Sequence, residues 1–315
     1  MNKNNDLHKA KKEKNDEFYT EFKDIEKECI NYGKQFENKI IFCNCDDPAF
    51  SNFYQFFNAK FDDFKLKGLI TTHYSKDKSS YSLEVNKNCK KDKITGRYIP
   101  IQMDLKGDGD FRSDESITLL KKSDIVITNP PFSLFREYIA QLIEYKKDFL
   151  IIGNSNVITT KDFFPLIKEN KVWLGTTLAT WFEIPNTSEY IEYYQKKTRY
   201  KFENKKHYMS FGNVCWYTNL KHKKRNEELH LFKKYNKNDY PKYDNYDGIE
   251  VSKVKNIPCD YDGVMGVPIT FLEKNNPEQF KILGQMVTTK ITEDNFGYPY
   301  VNGSKKYARI LIQKI

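Results

Sequence analysis

Long apolar stretches are missing from this sequence of 315 residues. No apolar run approaches the roughly 20 residues that a membrane-spanning helix needs. The polar N-terminus also lacks the apolar segment of a signal peptide. These two absences predict a cytoplasmic protein that makes no contact with a membrane.

Paired metal ligands and hydrolase motifs are missing as well. Six cysteines are present, and the nearest pair, Cys43 and Cys45, has neither zinc-finger spacing nor a second ligand pair. The five histidines form no HExxH motif and no triad pattern. The segment 104–115 approaches an EF-hand loop, but Lys106 brings an ammonium where calcium needs an oxygen ligand. We therefore predict free thiols in a reducing compartment, no bound metal, and neither hydrolase nor metalloprotease activity.

Positive charge exceeds negative charge, and the net charge is +9. A composition rich in Lys, Asn, Ile, Tyr and Phe also arises from an A·T-rich genome, so the positions of the charges are more informative than their sum. Basic residues cluster at Lys9 to Lys14, at Lys196 to Lys206 and at Lys221 to Arg225. Such clusters suit contacts with phosphates, which makes double-stranded DNA the expected partner.

Apolar segments of strand length alternate with helical patterns between residues 40 and 175. The predicted strands span 40–45, 66–72, 99–105, 124–128, 148–153 and 172–175. Strands that are apolar throughout are typical of a parallel sheet covered on both faces. The sequence thus predicts an α/β fold with a doubly wound, mostly parallel sheet.

The domain organisation follows changes in composition along the chain. Residues 1–15 have little apolar content and predict a mobile basic arm. Residues 16–178 are predicted to form the α/β core. Residues 179–315 combine many aromatic and charged residues, and we expect them to complete the core and add β-rich structure and recognition loops.

The most informative motif is Asn129-Pro130-Pro131-Phe132, which follows the apolar strand at 124–128. An exocyclic amine donates its lone pair into its ring and is a poor nucleophile. The Asn129 side-chain carbonyl and the Pro130 backbone carbonyl can each accept one amine hydrogen and so direct the lone pair at an electrophilic methyl group. Pro130 and Pro131 stiffen the turn, and Phe132 offers a face for an unstacked base. This motif predicts methyl transfer to an amide-like amine.

The motif by itself leaves the substrate open. Methylation of RNA or of a glutamine in a protein uses similar parts, and a catalytically inactive DNA-binding relative would retain the same fold. Basic clusters interleaved with aromatic residues favour a nucleic acid over a protein substrate. More than 130 residues after the core favour recognition of a specific duplex.

The sequence resembles the EcoRI-type adenine-specific DNA methylases over nearly its whole length. The resemblance rests on several segments in the same order along the chain, which are 7–12, 16–20, 43–48, 51–53, 107–113, 124–135, 215–220, 241–246, 263–272 and 277–280. It implies methylation of an adenine amine in a short duplex site, with S-adenosylmethionine as the cofactor and a class I methyltransferase fold. It further implies functional pairing with a separate restriction endonuclease. A single duplex-modifying site works as a monomer, which we expect here.

The resemblance also implies roles for particular residues. The cofactor residues it implies are Phe18, Tyr19 and Thr20 near the methionine end, Asp46, Asp47 and Pro48 after the first strand, and Asp110 and Phe111 at the adenine end. Trp216 is implied as a stacking residue for the flipped base. Two departures stand out, since Ser51 and Phe53 replace the usual glycines, and Thr71-Thr72-His73 replaces the carboxylate that normally holds the ribose.

The resemblance is weakest between residues 176 and 213. Because loops of this kind carry the side chains that read base edges, the target sequence stays open. The resemblance makes GAATTC the first candidate.

Overall fold

The computed structural model describes residues 18–45, 47–74, 79–184 and 186–315. The chain divides into two compact units, of which the first comprises Met1–Ser155 with Gly175–Leu220 and the second Asn156–Leu174 with Lys221–Ile315. The boundary predicted at residue 178 lies inside the first unit, and the predicted arm at 1–15 lies outside the described residues. Within those described ranges, every helix is too short or too polar to cross a membrane.

The described helices and strands are numbered here in chain order. The strands are β1 (Tyr19–Thr20), β2 (Ile40–Cys43), β3 (Gly68–Thr72), β4 (Tyr81–Val85), β5 (Ile101–Asp104), β6 (Ile125–Thr128), β7 (Asp148–Asn154), β8 (Trp173–Leu174), β9 (Phe182–Glu183), β10 (Tyr200–Glu203), β11 (Lys206–Met209), β12 (Val214–Thr218), β13 (Ile249–Glu250), β14 (Met265–Pro268), β15 (Phe280–Met286), β16 (Tyr300–Val301), β17 (Ser304–Lys305) and β18 (Arg309–Lys314). The α-helices are α1 (Phe22–Cys29), α2 (Gly33–Phe36), α3 (Asn52–Ala59), α4 (Asp114–Lys122), α5 (Phe135–Glu144), α6 (Phe164–Lys168) and α7 (Ser188–Tyr194).

The main sheet of the first unit has the strand order β5-β4-β3-β2-β6-β7-β12. Its four central strands, β3, β2, β6 and β7, are parallel. The outer strands β4, β5 and β12 are antiparallel to their neighbours. The fold is therefore α/β with a mixed sheet, in which the predicted parallel arrangement holds for the centre and not for the flanks.

Helices cover both faces of this sheet. Trp216 and Tyr217 are consecutive residues of β12, so their side chains point to opposite faces. The Trp216 ring contacts Phe53 of α3 at 6.0 Å between centroids, and the Tyr217 ring contacts Phe135 of α5 at 5.3 Å. Helices α3 and α5 thus lie on opposite faces, which explains why the central strands need apolar residues throughout.

A second, smaller sheet in the first unit has the order β1-β9-β11-β10 and is antiparallel throughout. Strands β10 and β11 form a hairpin, and its two turn residues, Asn204 and Lys205, have φ values of 52° and 61°. Two successive residues with positive φ match the twist of a two-residue hairpin turn. The hairpin contains the later part of the basic cluster at Lys196 to Lys206, and the earlier part directly precedes β10.

The second unit is built on a sheet with the order β13-β14-β18-β15. Glu250 and Arg309 form a buried ion pair there, and the Tyr243 hydroxyl donates to Glu250 Oε2 at 2.5 Å. Each charge in the pair is neutralised by its neighbour, as burial requires. The pair is part of the fold of this unit.

Candidate active site

The carboxyl ends of β2 and β6 meet where the direction of the chain across the main sheet reverses. From β2 the chain continues to β3 on one side, and it later returns to β6 on the other side. Ligands of such sheets bind at this point. Asn44 and Asn129 follow the two strands, and the Thr128 hydroxyl donates to the Asn44 carbonyl. The Tyr138 hydroxyl donates to the Asn44 side chain, so both strand ends are fixed to each other and to α5.

Asn129 is held in one orientation by a hydrogen bond to the N-terminal strand segment. Its Nδ2 donates to the Phe18 carbonyl at 2.6 Å. Because a carbonyl only accepts hydrogen bonds, the amide nitrogen must face Phe18 and the amide oxygen must face away. Asn129 is only 6% exposed, and its Oδ1 is buried with no hydrogen-bond partner. A buried oxygen without a donor costs about 1–3 kcal/mol, which makes this atom a candidate acceptor for a ligand that donates a hydrogen bond.

The two prolines shape the turn after β6 as the sequence predicts. Pro130 is buried and Pro131 is half-buried. A short 3-10 helix at Phe132–Leu134 follows, and α5 begins at Phe135. Since neither proline has an N–H group, the turn presents carbonyl acceptors and no donor from these residues.

An aromatic cluster lies beside this turn. The half-buried Phe132 ring is 6.3 Å from both Phe18 and Phe211, and Phe18 and Phe211 are 4.5 Å apart, all between centroids. Tyr194 also packs edge-on against Phe18, at 5.8 Å. Sequence reasoning did not find Phe211, because a single phenylalanine in an irregular segment has no pattern. Its one signal is the following Gly212, whose φ is 66°.

Trp216 does not belong to this cluster, which corrects the stacking role considered for it. Its side chain is fully buried, and its ring packs against Phe53 beneath the sheet. A ring enclosed by protein has no free face for a base. Phe211 replaces it as the aromatic residue nearest to Phe132 from this part of the chain.

The N-terminal segment predicted to bind the cofactor runs past Asn129. Phe18 and Thr20 are buried, and Tyr19 is half-buried with its ring 6.1 Å from Phe50. The Thr20 hydroxyl is buried without a partner. Asn52 Nδ2 donates to the Thr20 carbonyl at 2.7 Å, which fixes the segment to the start of α3.

The loop after β2 is ordered by its own side chains rather than by glycines. Asp46 lies outside the described residues, and Pro48 is buried. Asp47 Oδ1 accepts from the Ala49 N–H at 2.9 Å. Ser51 caps α3, since its hydroxyl accepts from the Tyr54 N–H at 3.4 Å.

Asp110 and Phe111 follow β5 in the loop that leads into α4. Arg112 binds Asp110 with its Nε at 2.8 Å and a terminal nitrogen at 2.7 Å. These bonds raise the pKa of Arg112, so the pair stays charged. Phe111 is buried with its ring edge-on to Tyr138 at 5.1 Å. In the loop that resembles an EF-hand, the Glu115 carboxylate accepts from two backbone N–H groups at 3.0 and 2.8 Å.

The basic clusters are less available for phosphates than the sequence indicates. Lys206 is paired with Glu183 at 2.7 Å, and Lys201 with Glu203 at 2.9 Å. Arg225, in the second unit, is only 9% exposed and donates to the Asn275 carbonyl at 2.8 Å. Burial lowers the pKa of Arg225 to about 10. Arg225 therefore stabilises its own unit, whereas Lys196, Lys197 and Arg199 are exposed.

Comparisons with known proteins agree over the whole chain. The family model for the adenine-specific methyltransferase EcoRI matches residues 6–314. The chain is 49% identical to the type II methyltransferase M.EcoRI of Escherichia coli, over 98% of this chain and 95% of that protein. It is 39% identical to the type II methyltransferase M.MgeORF184P of Mycoplasma genitalium and 36% identical to M.MpnI of Mycoplasma pneumoniae, over 98% of each chain. No solved structure matches it. With a match this complete, the chain belongs to the EcoRI family of adenine-specific methyltransferases.

Proposed function

We propose that the chain methylates the exocyclic amine of an adenine that is flipped out of a short duplex DNA site, with S-adenosylmethionine as methyl donor. Membership of the family makes it an adenine-specific DNA methyltransferase of the type II kind. The observation that carries the finer proposal is Asn129 Oδ1, which is buried, fixed in direction and without a hydrogen-bond donor.

The chemistry needs two acceptors and no strong base. One amine hydrogen is donated to Asn129 Oδ1 and the other to the Pro130 carbonyl. These bonds draw the nitrogen lone pair out of conjugation with the ring. When bound, S-adenosylmethionine supplies a methyl group on a sulfonium. The nitrogen uses its lone pair to form the new N–C bond, the S–C bond breaks with its electrons left on sulfur, and the nitrogen then loses one proton to solvent.

Phe132 and Phe211 are suited to holding the flipped base. Flipping costs a few kcal/mol, which stacking in the pocket must offset. The two rings are 6.3 Å apart and inclined at 81°. Because they are nearly perpendicular, they cannot both stack face to face on one base. We assign the face to Phe132, which is in the motif, and the edge contact to Phe211.

The residues along the carboxyl edge of the main sheet fit S-adenosylmethionine from its methionine end to its adenine end. The unpartnered Thr20 hydroxyl suits the polar methionine end. Phe111 offers an apolar wall, and Asp110 offers an acceptor for the adenine amine. Arg112 donates to the Asp110 carboxylate from its Nε, a terminal nitrogen and its backbone N–H, which fixes the direction of this acceptor.

Several broader assignments belong to the same proposal. The parallel central strands, and the meeting of β2 and β6 where the strand order reverses, support a class I methyltransferase fold. The recognition role of residues 179–315, a monomeric state and functional pairing with a separate restriction endonuclease are proposed on the basis of the family. RNA, protein glutamine and an inactive relative are the alternatives. The family name disfavours the first two, and the unpartnered Asn129 oxygen disfavours the third.

The test uses the purified full chain with methyl-labelled S-adenosylmethionine. We expect label in duplex DNA, found as N6-methyladenine by mass spectrometry of the digested nucleosides. Parallel reactions with RNA and with glutamine-containing peptides serve as controls. Label in RNA or peptide but not in DNA would contradict the substrate. Binding of DNA without any transfer would identify an inactive relative.

A further inference from the structure

The end of β3 lacks the acidic residue that usually holds a cofactor ribose in such sheets. Thr71 and Thr72 are both buried there. The Thr71 hydroxyl donates to the Cys43 carbonyl at 2.6 Å and is engaged within the sheet. The next two residues, His73 and Tyr74, have no carboxylate.

A carboxylate nevertheless reaches this position from the neighbouring loop. Asp47 Oδ2 lies 3.5 Å from His73 Nε2. The His73 ring is stacked on Tyr81 of β4, with 4.8 Å between centroids and 19° between planes. Burial raises the pKa of the Tyr81 phenol, and the negative charge of Asp47 raises it further. The Asp47 carboxylate therefore faces the ends of β3 and β4, where it lies beside the His73 ring.

Both oxygens of Asp47 retain acceptor capacity. Oδ1 accepts one hydrogen bond, from the Ala49 N–H at 2.9 Å, and Oδ2 faces His73. Each carboxylate oxygen accepts about two hydrogen bonds, so each has a position left. Two adjacent acceptors match two neighbouring hydroxyls, as in a cis-diol. The Asp47 side chain is 28% exposed and so accessible to a ligand.

The position of this pair fits between the two ends of the cofactor. Asp47 belongs to the loop that leads into α3, and α3 is bound to Thr20 through Asn52. His73 lies directly against the loop that leads to Asp110, because a side chain at Gly109 would overlap the His73 carbonyl. Gly109 has a φ of 78°, which also favours glycine. The segment 18–20, the Asp47–His73 pair and the Asp110–Phe111 pair are thus consecutive along the carboxyl edge of the main sheet.

We propose that Asp47, oriented by His73, accepts hydrogen bonds from the ribose hydroxyls of S-adenosylmethionine in place of the missing carboxylate after β3. Asp47 contacts the ligand, and His73 is a positioning residue. This inference rests on the proposed function, because it takes S-adenosylmethionine as the ligand of this edge.

The experiment measures binding by calorimetry, with the full chain, for S-adenosylhomocysteine and for its 2′,3′-dideoxy form. We expect the wild type to bind the dideoxy form more weakly. Asp47→Asn keeps the acceptor for Ala49 and loses the charge at Oδ2. It should weaken S-adenosylhomocysteine binding roughly tenfold to a hundredfold, the range of a lost charged hydrogen bond, and leave binding of the dideoxy form unchanged.

Matched variants distinguish the loss of a direct contact between Asp47 and the ligand from a loss of folding. Asp62→Asn changes an exposed carboxylate paired with Lys91 and should alter neither affinity. His73→Phe keeps the stack on Tyr81 and should reduce discrimination between the two ligands, while His73→Gln, which retains a donor for Asp47, should restore part of it. Thermal unfolding of each variant shows that the fold is retained.

Two results would overturn the inference. One is an equal loss of affinity for both ligands in Asp47→Asn, which would mean that Asp47 only orders its loop. The other is a selective loss in Asp77→Asn, a position outside the described residues, with none in Asp47→Asn. Failure of the wild type to bind S-adenosylhomocysteine at all would instead contradict the proposed function, so the two failures are distinguishable.

Discussion

Replacing Asn129 with alanine removes the acceptor that the structure leaves without a partner. By analogy with the loss of one oxyanion-hole donor, losing one of two acceptors should raise the barrier by about 3 kcal/mol, or roughly a hundredfold in rate. The variant also leaves the buried Phe18 carbonyl without its donor, which should cost about 1–3 kcal/mol of stability. DNA affinity should change little, because phosphate contacts lie elsewhere.

The assay is single-turnover methylation of a duplex at saturating enzyme, with DNA affinity measured by fluorescence anisotropy. Asn58→Ala is the matched control. Asn58 is buried to the same 6% exposure, but its side chain is fully engaged, donating to the Tyr98 carbonyl and accepting from the Tyr98 N–H. It should lose stability and retain the rate of the chemical step. A near-normal single-turnover rate in Asn129→Ala would refute the acceptor role.

Asn129→Asp tests the direction of the amide. An ionised carboxylate would place a second acceptor against the Phe18 carbonyl, where Nδ2 now donates at 2.6 Å. Burial and this repulsion should raise the pKa of the introduced carboxyl. The neutral acid donates to Phe18 and keeps a carbonyl acceptor for the substrate. Its rate relative to wild type should therefore rise as the pH falls. A relative rate that falls with falling pH would show that the amide points the other way.

Four further outcomes are expected. Asp110→Ala should weaken S-adenosylhomocysteine binding about tenfold to a hundredfold by calorimetry, and an unchanged affinity would place the adenine end elsewhere. Phe211→Ala should reduce flipping, seen as weaker 2-aminopurine fluorescence at the target, because the flipped base loses the aromatic edge contact assigned to Phe211; full fluorescence would exclude the contact. Neutralising Lys196 and Lys197 should reduce the slope of log affinity against log salt concentration by the amount expected for about two phosphate contacts. Lys206→Ala should change this slope less, because Lys206 is already paired with Glu183. Plasmid treated with enzyme and cofactor should resist EcoRI endonuclease; cutting despite methyl incorporation would reject GAATTC and retain the chemistry.

The central strands were predictable because burial on both faces leaves a simple signal. Ile125–Thr128 is buried at every position, as is Gly68–Thr72. Strand β4, Tyr81–Val85, lies in a segment rich in Lys and Ser and is not among the predicted strands. It was missed because only two of its five residues, Ser82 and Val85, are buried. Strand β5 was predicted with its neighbours, but all four of its residues are exposed and it pairs antiparallel.

The site was predictable where a residue acts through its own chemistry. Asn129 is predicted from the sequence because Asn-Pro-Pro follows a buried strand and precedes an aromatic residue and a helix, and the structure leaves its Oδ1 without a hydrogen-bond partner. Phe211 was missed, and Trp216 was considered for its place, because an aromatic side chain fits a core as well as a base. Which of these two rings is enclosed by protein depends on packing between segments that are distant in the sequence. The Asp47–His73 pair was invisible for the same reason, since it joins two loops.

Strand β1 connects Asn129, the proposed acceptor, with the strands proposed to contact DNA. The Phe18 carbonyl fixes Asn129, and the next two residues pair with Glu183 and Phe182 of β9. Strand β9 pairs in turn with β11 of the basic hairpin. A shift of that hairpin on binding DNA would therefore be transmitted to the backbone that orients the Asn129 oxygen. Asn129 and the hairpin are both linked to the segment 18–20, and for this reason we propose that a segment before the first strand of the main sheet belongs to the active site.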